Sequence, residues 1–161
     1  MEIIVKSPKE CSKEEINEFI KLVSEGGEVD IRGLEERVQR ARNLFFLKNP
    51  HLVAISAIKR FYQQYKNSIF EKAGCSDIAN DYKFEMGWMY TKPISRRKGF
   101  SRDLLEVMLN QLKGISCYTI VGSENHIMQH MLESHGFNKV GKEYSSSNNI
   151  SNKINLYIKP N

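Results

Sequence analysis

Six consecutive residues carry the densest chemical signal in this sequence: Arg96, Arg97, Lys98, Gly99, Phe100 and Ser101. Three adjacent cations run into a glycine, and the apolar residues that follow, Leu104, Leu105, Met108, Leu109 and Leu112, recur at helical spacing. A helix therefore starts at the basic turn. Its first backbone N–H groups have no partners within the helix and stand at the positive end of its dipole, and glycine lets the main chain approach a ligand closely. The combination suits an anion, above all a phosphate. A solvated basic turn would have the same composition, so the order of the surrounding elements has to decide between the two.

Other residues also have the right types for chemistry. Glu85 sits inside an alternating stretch and reads either as a proton acceptor or as a solvent-facing strand carboxylate. His126, His130 and Glu133 share one helical face, a spacing that could in principle hold a metal, yet no fourth ligand is evident and no metal is expected. Glu25, Glu28 and Asp30 form an acidic run with no Lys or Arg until Arg32. That run is either a solvated turn or a rim that attracts a cationic substrate. Cys11, Cys75 and Cys117 match neither a zinc pattern nor a disulfide framework and read as reduced thiols.

The elements that must position these residues follow from periodicity. A short apolar strand covers 2–6, and Pro8 marks a turn. Ser12 with Glu15 three residues on is a capping-box signal for a helix whose apolar face is Ile16, Phe19, Ile20 and Val23 and whose stop is Gly26 with Gly27. Leu34, Val38 and Ala41 suggest a second, shorter helix. Segments 43–48 and 52–60, separated by Asn49 and Pro50, read as a hairpin. From 61 to 81 the pattern is mixed, so irregular structure with a short helix is expected.

Segment 82–91 alternates, with Phe84, Met86, Trp88 and Tyr90 on a core face and Lys83, Glu85, Gly87, Met89 and Thr91 on the other. The basic turn and its helix come next, ended by Gly114. A central strand over 117–121 leads to a helix over 124–135, with Ser123 as cap and Gly136 as stop. Two last strands, 139–144 and 153–159, flank the polar segment 145–152, which is expected to be a mobile loop. The order is β-α-α-β-β-(insert)-β-α-β-α-β-β, without repeat or linker.

At 161 residues, with 40% hydrophobic and 27% charged residues, the chain fits one domain spanning 1–161 and excludes a disordered polyelectrolyte. Its apolar runs, such as 44–47, fall far short of the roughly 20 residues of a membrane helix. No membrane role is expected. No basic segment leads into an apolar stretch at the N-terminus, which points to the cytoplasm. The net charge of +5 could serve nucleic acid, a phosphorylated ligand or solubility alone.

Strand, Arg-x-x-Gly-x-small, helix, strand, helix with Asn near its start, then Gly-Phe: this succession resembles the GNAT-type N-acetyltransferase family. Met89-x-Thr91-x-Pro93 resembles that family's strand-four ending, and the 96–101 segment its pyrophosphate loop. Asn125, Met128, Met131, Glu133, Gly136 and Phe137 match its second block in register. The resemblance implies an α/β (α+β) fold with a mixed, mostly antiparallel central sheet flanked by about four helices. Ser101 stands where the family usually has Gly or Ala; it is small enough to fit, and its hydroxyl is a candidate phosphate contact. Leu132 stands where many members carry a tyrosine that protonates the departing thiolate, and leucine has no proton to give.

The resemblance further implies acetyl-coenzyme A as co-substrate and direct attack by an amine within a ternary complex. Main chain from Arg97 to Ser101 would hold the pyrophosphate, with Arg96, Arg97 and Lys98 supplying charge. Met89, Tyr90 and Thr91 would pair with the pantetheine arm and polarise the thioester carbonyl, and Asn125 would bond the same arm. Glu85 lies six residues before Thr91, the offset of the glutamate base in the histone-acetyltransferase branch; that even spacing keeps both on one face unless a bulge, for which Gly87 is the candidate, intervenes. Ser134, His135, Tyr144, Tyr118 and ordered water are the alternatives for the missing acid. Glu25, Glu28 and Asp30 border the acceptor side, and Tyr62, Tyr65 and Phe70 are candidate walls for an apolar part of the acceptor. The acceptor is a small-molecule or peptide amine, nucleic acid is disfavoured, and a monomer or a homodimer fits equally. The rival reading is a non-catalytic acyl-coenzyme A-binding domain.

Overall fold

Ser12 and Glu15 begin the first long helix by reciprocal capping. The Glu15 amide donates to Ser12 Oγ (3.1 Å), the Ser12 amide donates to Glu15 Oε2 (2.9 Å), and Lys6 Nζ adds an ion pair to Glu15 Oε1 (2.7 Å). The computed structural model describes residues 1–60, 62–147 and 151–161. In chain order it contains β1 (Glu2–Lys6), α1 (Lys13–Glu25), α2 (Leu34–Gln39), β2 (Asn43–Lys48), β3 (Leu52–Arg60), α3 (Gln63–Lys72) and β4 (Phe84–Thr91). These are followed by α4 (Phe100–Leu112), β5 (Cys117–Gly122), α5 (His126–Ser134), β6 (Asn138–Ser145) and β7 (Lys153–Lys159), with short 3-10 turns at Pro8–Glu10, Ser76–Asp81 and Pro93–Ser95.

The strands form a seven-stranded sheet in the order β1-β2-β3-β4-β5-β7-β6. The pairs β1/β2, β2/β3, β5/β7 and β6/β7 are antiparallel, and β4/β5 is parallel, joining Phe84 to Cys117 and Glu85 to Tyr118. This is the mixed, mostly antiparallel sheet expected. The hairpin of β2 and β3 falls on the segments read from the sequence.

Two compact units are distinguished, 1–60 with 86–113 and 61–85 with 114–161. In the first, α1 and α4 pack on β3, and the core gathers Phe19, Leu22, Val38, Leu44, Phe46 and Ile55. Phe19 meets Phe46 edge to face at 5.6 Å between ring centroids, a favoured aromatic geometry. In the second, Phe70 stacks on Tyr82 at 5.9 Å and meets Tyr118 edge to face at 5.3 Å, with Leu156 and Ile158 beside them.

The insert holds the short helix expected of it and is more regular than its mixed pattern suggested. Residues 63–72 form a three-turn helix, and Gly74, at φ 76°, lies just beyond its end. The helical period was hidden because the buried face includes a lysine: Lys66 is only 2% exposed and shares that face with Ile69 and Phe70. Its ammonium donates to the Tyr82 carbonyl at 3.2 Å, and burial pushes its pKa down. With this helix the described residues hold five α-helices rather than about four. Phe61 lies outside the described residues, as do 148–150 within the loop expected over 145–152.

Two further boundaries differ. The strand starts at Phe84, not Tyr82, and its alternation breaks at Trp88, whose φ of 51° interrupts the extended run as a bulge would. The last helix starts at His126 with Asn125 as its cap, the Asn125 Oδ1 accepting the Met128 N–H at 3.1 Å, so Ser123 is not the cap.

At Gly141, φ is 67° and an added Cβ would lie 2.0 Å from the Ala73 carbonyl oxygen and 2.6 Å from Cys75 Sγ. The main chain of β6 here rests on the end of α3, where the Lys142 amide donates to the same carbonyl at 2.9 Å. Gly141→Val therefore combines backbone strain with a main-chain clash and is expected to cost about 3 kcal/mol. Thermal unfolding should show a midpoint lowered by roughly 6–12 °C. A shift within a degree would contradict the close approach.

Candidate active site

The basic turn has the build of an anion cradle. Gly99 is the cap residue of α4 at φ 82°, no side chain caps the helix, and Arg97 is also left-handed at φ 65°. The first N–H groups of α4 thus receive no side-chain cap from Gly99. Arg96, Arg97 and Lys98 are exposed, while Phe100 is buried and anchors the helix start. Arg96 is tied back to the preceding strand, its Nε donating to the Thr91 carbonyl at 3.1 Å with the guanidinium 5.8 Å from the centre of the Tyr90 ring. A link between the hydroxyls of Thr91 and Ser101, 3.2 Å apart, joins the end of β4 to the first turn of α4. Sequence reading missed both ties, since neither leaves a mark in local composition. Ser101 thus uses its hydroxyl to hold the loop.

Met89, Tyr90 and Thr91 lie on the last residues of β4, after the break at Trp88. Trp88 packs against Phe19, with ring centroids 6.1 Å apart, and Tyr90 joins the same core. The core assignment of Trp88 and Tyr90 stands, but the simple two-face pattern does not. Glu85, placed on the outer face by parity, is only 3% exposed.

Glu85 belongs to a buried polar group in the second unit. Tyr118, opposite it on β5, donates its hydroxyl to Glu85 Oε2 at 3.5 Å. Burial and the Glu85 charge push the Tyr118 phenol far above its usual range, and they push Tyr144 up likewise. Both phenols hold their protons at neutral pH. The Tyr144 hydroxyl is shielded from water and meets no hydrogen-bond partner among the described residues. The cross-strand pairing of Glu85 with Tyr118 follows from topology alone, and no sequence spacing announces it.

Around α5, Leu132 is buried, as its apolar nature requires. Ser134 Oγ donates to the Met131 carbonyl at 2.7 Å, and His135 Nδ1 lies 2.7 Å from the same oxygen. Both are engaged with the helix end. Asn125 spends its amide oxygen on the cap, which leaves the amide nitrogen as its donor. Glu133 and Gln129 accept in turn from Tyr157 Oη, at 3.2 and 3.3 Å. Among the described residues no group of three His, Cys, Asp or Glu side chains is placed to hold a metal.

In the acidic turn, Glu25 and Glu28 are exposed. Asp30 is paired with Arg32, Nη2 to Oδ2 at 2.9 Å, and hydrogen bonds from Arg32 hold its carboxyl down at about 2. Asp30 therefore adds little net charge to the rim. Of the candidate acceptor walls, Phe70 is fully buried in the core and is excluded, whereas Tyr62 is half-buried and Tyr65 exposed.

The three cysteines are free thiols, with Cys117 pushed up to about 12 by burial. No helix among the described residues is long and apolar enough to cross a membrane.

No protein-family model matches the sequence, and no curated protein matches it. Solved structures match along nearly its whole length. An acyl-CoA N-acyltransferase from Pseudomonas aeruginosa is 12% identical with a TM-score of 0.71, covering 98% of each chain. ElaA from Escherichia coli is 14% identical at a TM-score of 0.71, covering 97% of each chain. A ribosomal-protein-alanine N-acetyltransferase from Brucella melitensis is 13% identical at a TM-score of 0.70, covering 98% of this chain and 99% of that one.

Proposed function

Because the chain has the fold of the GNAT-type N-acetyltransferases, we propose that it transfers an acetyl group from acetyl-coenzyme A to an amine, in the cytoplasm. The observation that carries this reading is the uncapped, glycine-led start of α4 behind three exposed cations. Those residues fit a pyrophosphate: backbone donors for its oxygens, positive charge around them, and a small residue where main chain must come close. The neighbours with acyltransferase names support the class of reaction.

Acetyl-coenzyme A supplies an activated acyl group as a thioester. Main chain from Arg97 to Ser101 binds its phosphates, Arg96 and Lys98 add charge, and Thr91 with Ser101 holds the loop in place. Met89, Tyr90 and Thr91 present strand main chain to the pantetheine arm, and Asn125 offers its amide nitrogen. Glu85 takes the proton from the amine, directly or through water, with Tyr118 fixing the carboxylate by a hydrogen bond. The amine then attacks within a ternary complex. Leu132 cannot protonate the leaving thiolate, and the phenols of Tyr118 and Tyr144, with raised pKa, are poor acids for that step. Water is the donor this reading uses.

Glu25 and Glu28 give the acceptor a cationic character, in this reading, by electrostatic attraction. Glu28→Lys is expected to raise the KM of a cationic amine severalfold at low salt and to leave coenzyme affinity unchanged. A KM indifferent to this change and to salt would remove the acidic turn from the acceptor site. The reading as a whole is tested by screening amines and peptides for acetyl-coenzyme A-dependent thiol release. Coenzyme binding with no acceptor turned over would favour the binding-domain reading, to which Leu132 lends the specific support.

A further inference from the structure

In the second unit the turn from β5 into α5 is gathered by the side chain of Gln129. This residue, half-buried on α5, donates from Nε2 to two main-chain oxygens ahead of the helix, the Gly122 carbonyl at 3.0 Å and the Ser123 carbonyl at 2.9 Å. A carbonyl only accepts, so the nitrogen end of the amide must face this pair, and its two hydrogens serve one oxygen each. The other end, Oε1, lies 3.3 Å from the hydroxyl of Tyr157, a fully buried residue of β7. Gln129 thus links the turn to the sheet. Glu133 Oε1, at 3.2 Å, is a second acceptor within reach of the same hydroxyl.

Asn125 is set by the same turn. Its N–H donates to the Gly122 carbonyl at 3.0 Å, its carbonyl accepts from the Gln129 N–H at 3.1 Å, and its Oδ1 caps α5. Because the side-chain amide is planar, binding the oxygen also fixes the direction of the nitrogen, and Asn125 is exposed. We propose that Gln129 is a positioning residue for the coenzyme: by tying the Gly122 and Ser123 carbonyls to Tyr157 it holds the turn in the one shape that presents the Asn125 amide nitrogen to the pantetheine arm. The proposal rests on the reading of Asn125 as a contact of that arm and adds the residue that sets its geometry. A donor already fixed in direction costs less ordering when the arm binds. Gln129 acts through Asn125 and touches no reacting atom.

Calorimetric titration of the full chain with acetyl-coenzyme A, and with 3′-phospho-ADP as the nucleotide half that lacks the arm, tests this. Physiological salt keeps an exposed charge screened beyond about 8 Å. Gln129→Met and Gln129→Glu each remove the two donors, and Tyr157 keeps Glu133 as an acceptor in both, so the unliganded thermal midpoint should stay within a few degrees of wild type. Both variants should bind acetyl-coenzyme A about fivefold more weakly, the worth of one neutral hydrogen bond, and 3′-phospho-ADP as the wild type does. Asn125→Asp, which keeps a capping oxygen and loses the donor, should weaken acetyl-coenzyme A to a similar degree, and adding Gln129→Met to it should weaken binding no further. Wild-type affinity for acetyl-coenzyme A in the Gln129 variants, equal losses for the two ligands, or additive losses in the double variant would overturn the proposal. Wild-type affinity in Asn125→Asp would also overturn it and leave the coenzyme reading standing. A wild type that binds neither ligand would overturn the coenzyme reading itself, and this role with it.

Discussion

Saturating acetyl-coenzyme A should raise the thermal midpoint of the wild-type chain by roughly 5–10 °C, and Gly99→Val should abolish that rise. A ligand at about 100 times its Kd stabilises the folded state by about 2.7 kcal/mol, which for a chain of this size converts to a shift of that order. Gly99 is where the effect concentrates for two reasons. Its φ of 82° is a conformation that a β-branched residue adopts only with strain, and an added Cβ would lie 3.3 Å from Arg102 Nη2. Valine therefore either distorts the turn or fills the space that phosphate oxygens need. The unliganded midpoint should fall by only a few degrees, because the side chain at 99 faces a surface turn. A wild type with no shift, or a Gly99→Val variant that keeps it, would contradict the assignment of the turn to the coenzyme.

Glu85→Gln should lower turnover by about 10²-fold at neutral pH, the usual contribution of a general base. Glutamine keeps the volume of the buried glutamate and can still accept from Tyr118, so the midpoint and the coenzyme affinity should change little. The loss should shrink as pH rises, since more of the amine then arrives without its extra proton and needs no base; a lysine-like amine loses it near pH 10.4. Turnover equal to wild type across pH would move the base elsewhere.

Where local physics decides the structure, the sequence was readable. Ser12 and Glu15 announce their helix because the capping contacts lie three residues apart, and the hairpin at 43–60 declares itself by two apolar runs around Asn49 and Pro50. The basic turn was readable for the same reason: glycine, cations and helix start are contiguous. Long-range effects were not. The α3 helix is obscured by Lys66, whose burial depends on a carbonyl sixteen residues away. The burial of Glu85 comes with its pairing to Tyr118 on another strand, which alternation along 82–91 does not reveal, so its face read as open to solvent. Asn125 displaced Ser123 as the helix cap; both are good cap types, and spacing alone could not rank them. Resemblance supplied what the residues alone could not, namely a role for the strand ending at Thr91.

Acetyl transfer to an amine is decided by whether the acetyl group reaches nitrogen. The direct measurement is to incubate the full chain with acetyl-coenzyme A bearing an isotopically labelled acetyl group and a set of primary amines, and to follow the label by mass spectrometry. The expected result is label on the nitrogen of at least one amine, in step with free thiol released, and its loss in both Glu85→Gln and Gly99→Val. Label that stays in the thioester, or that leaves only as acetate whatever amine is present, would contradict it.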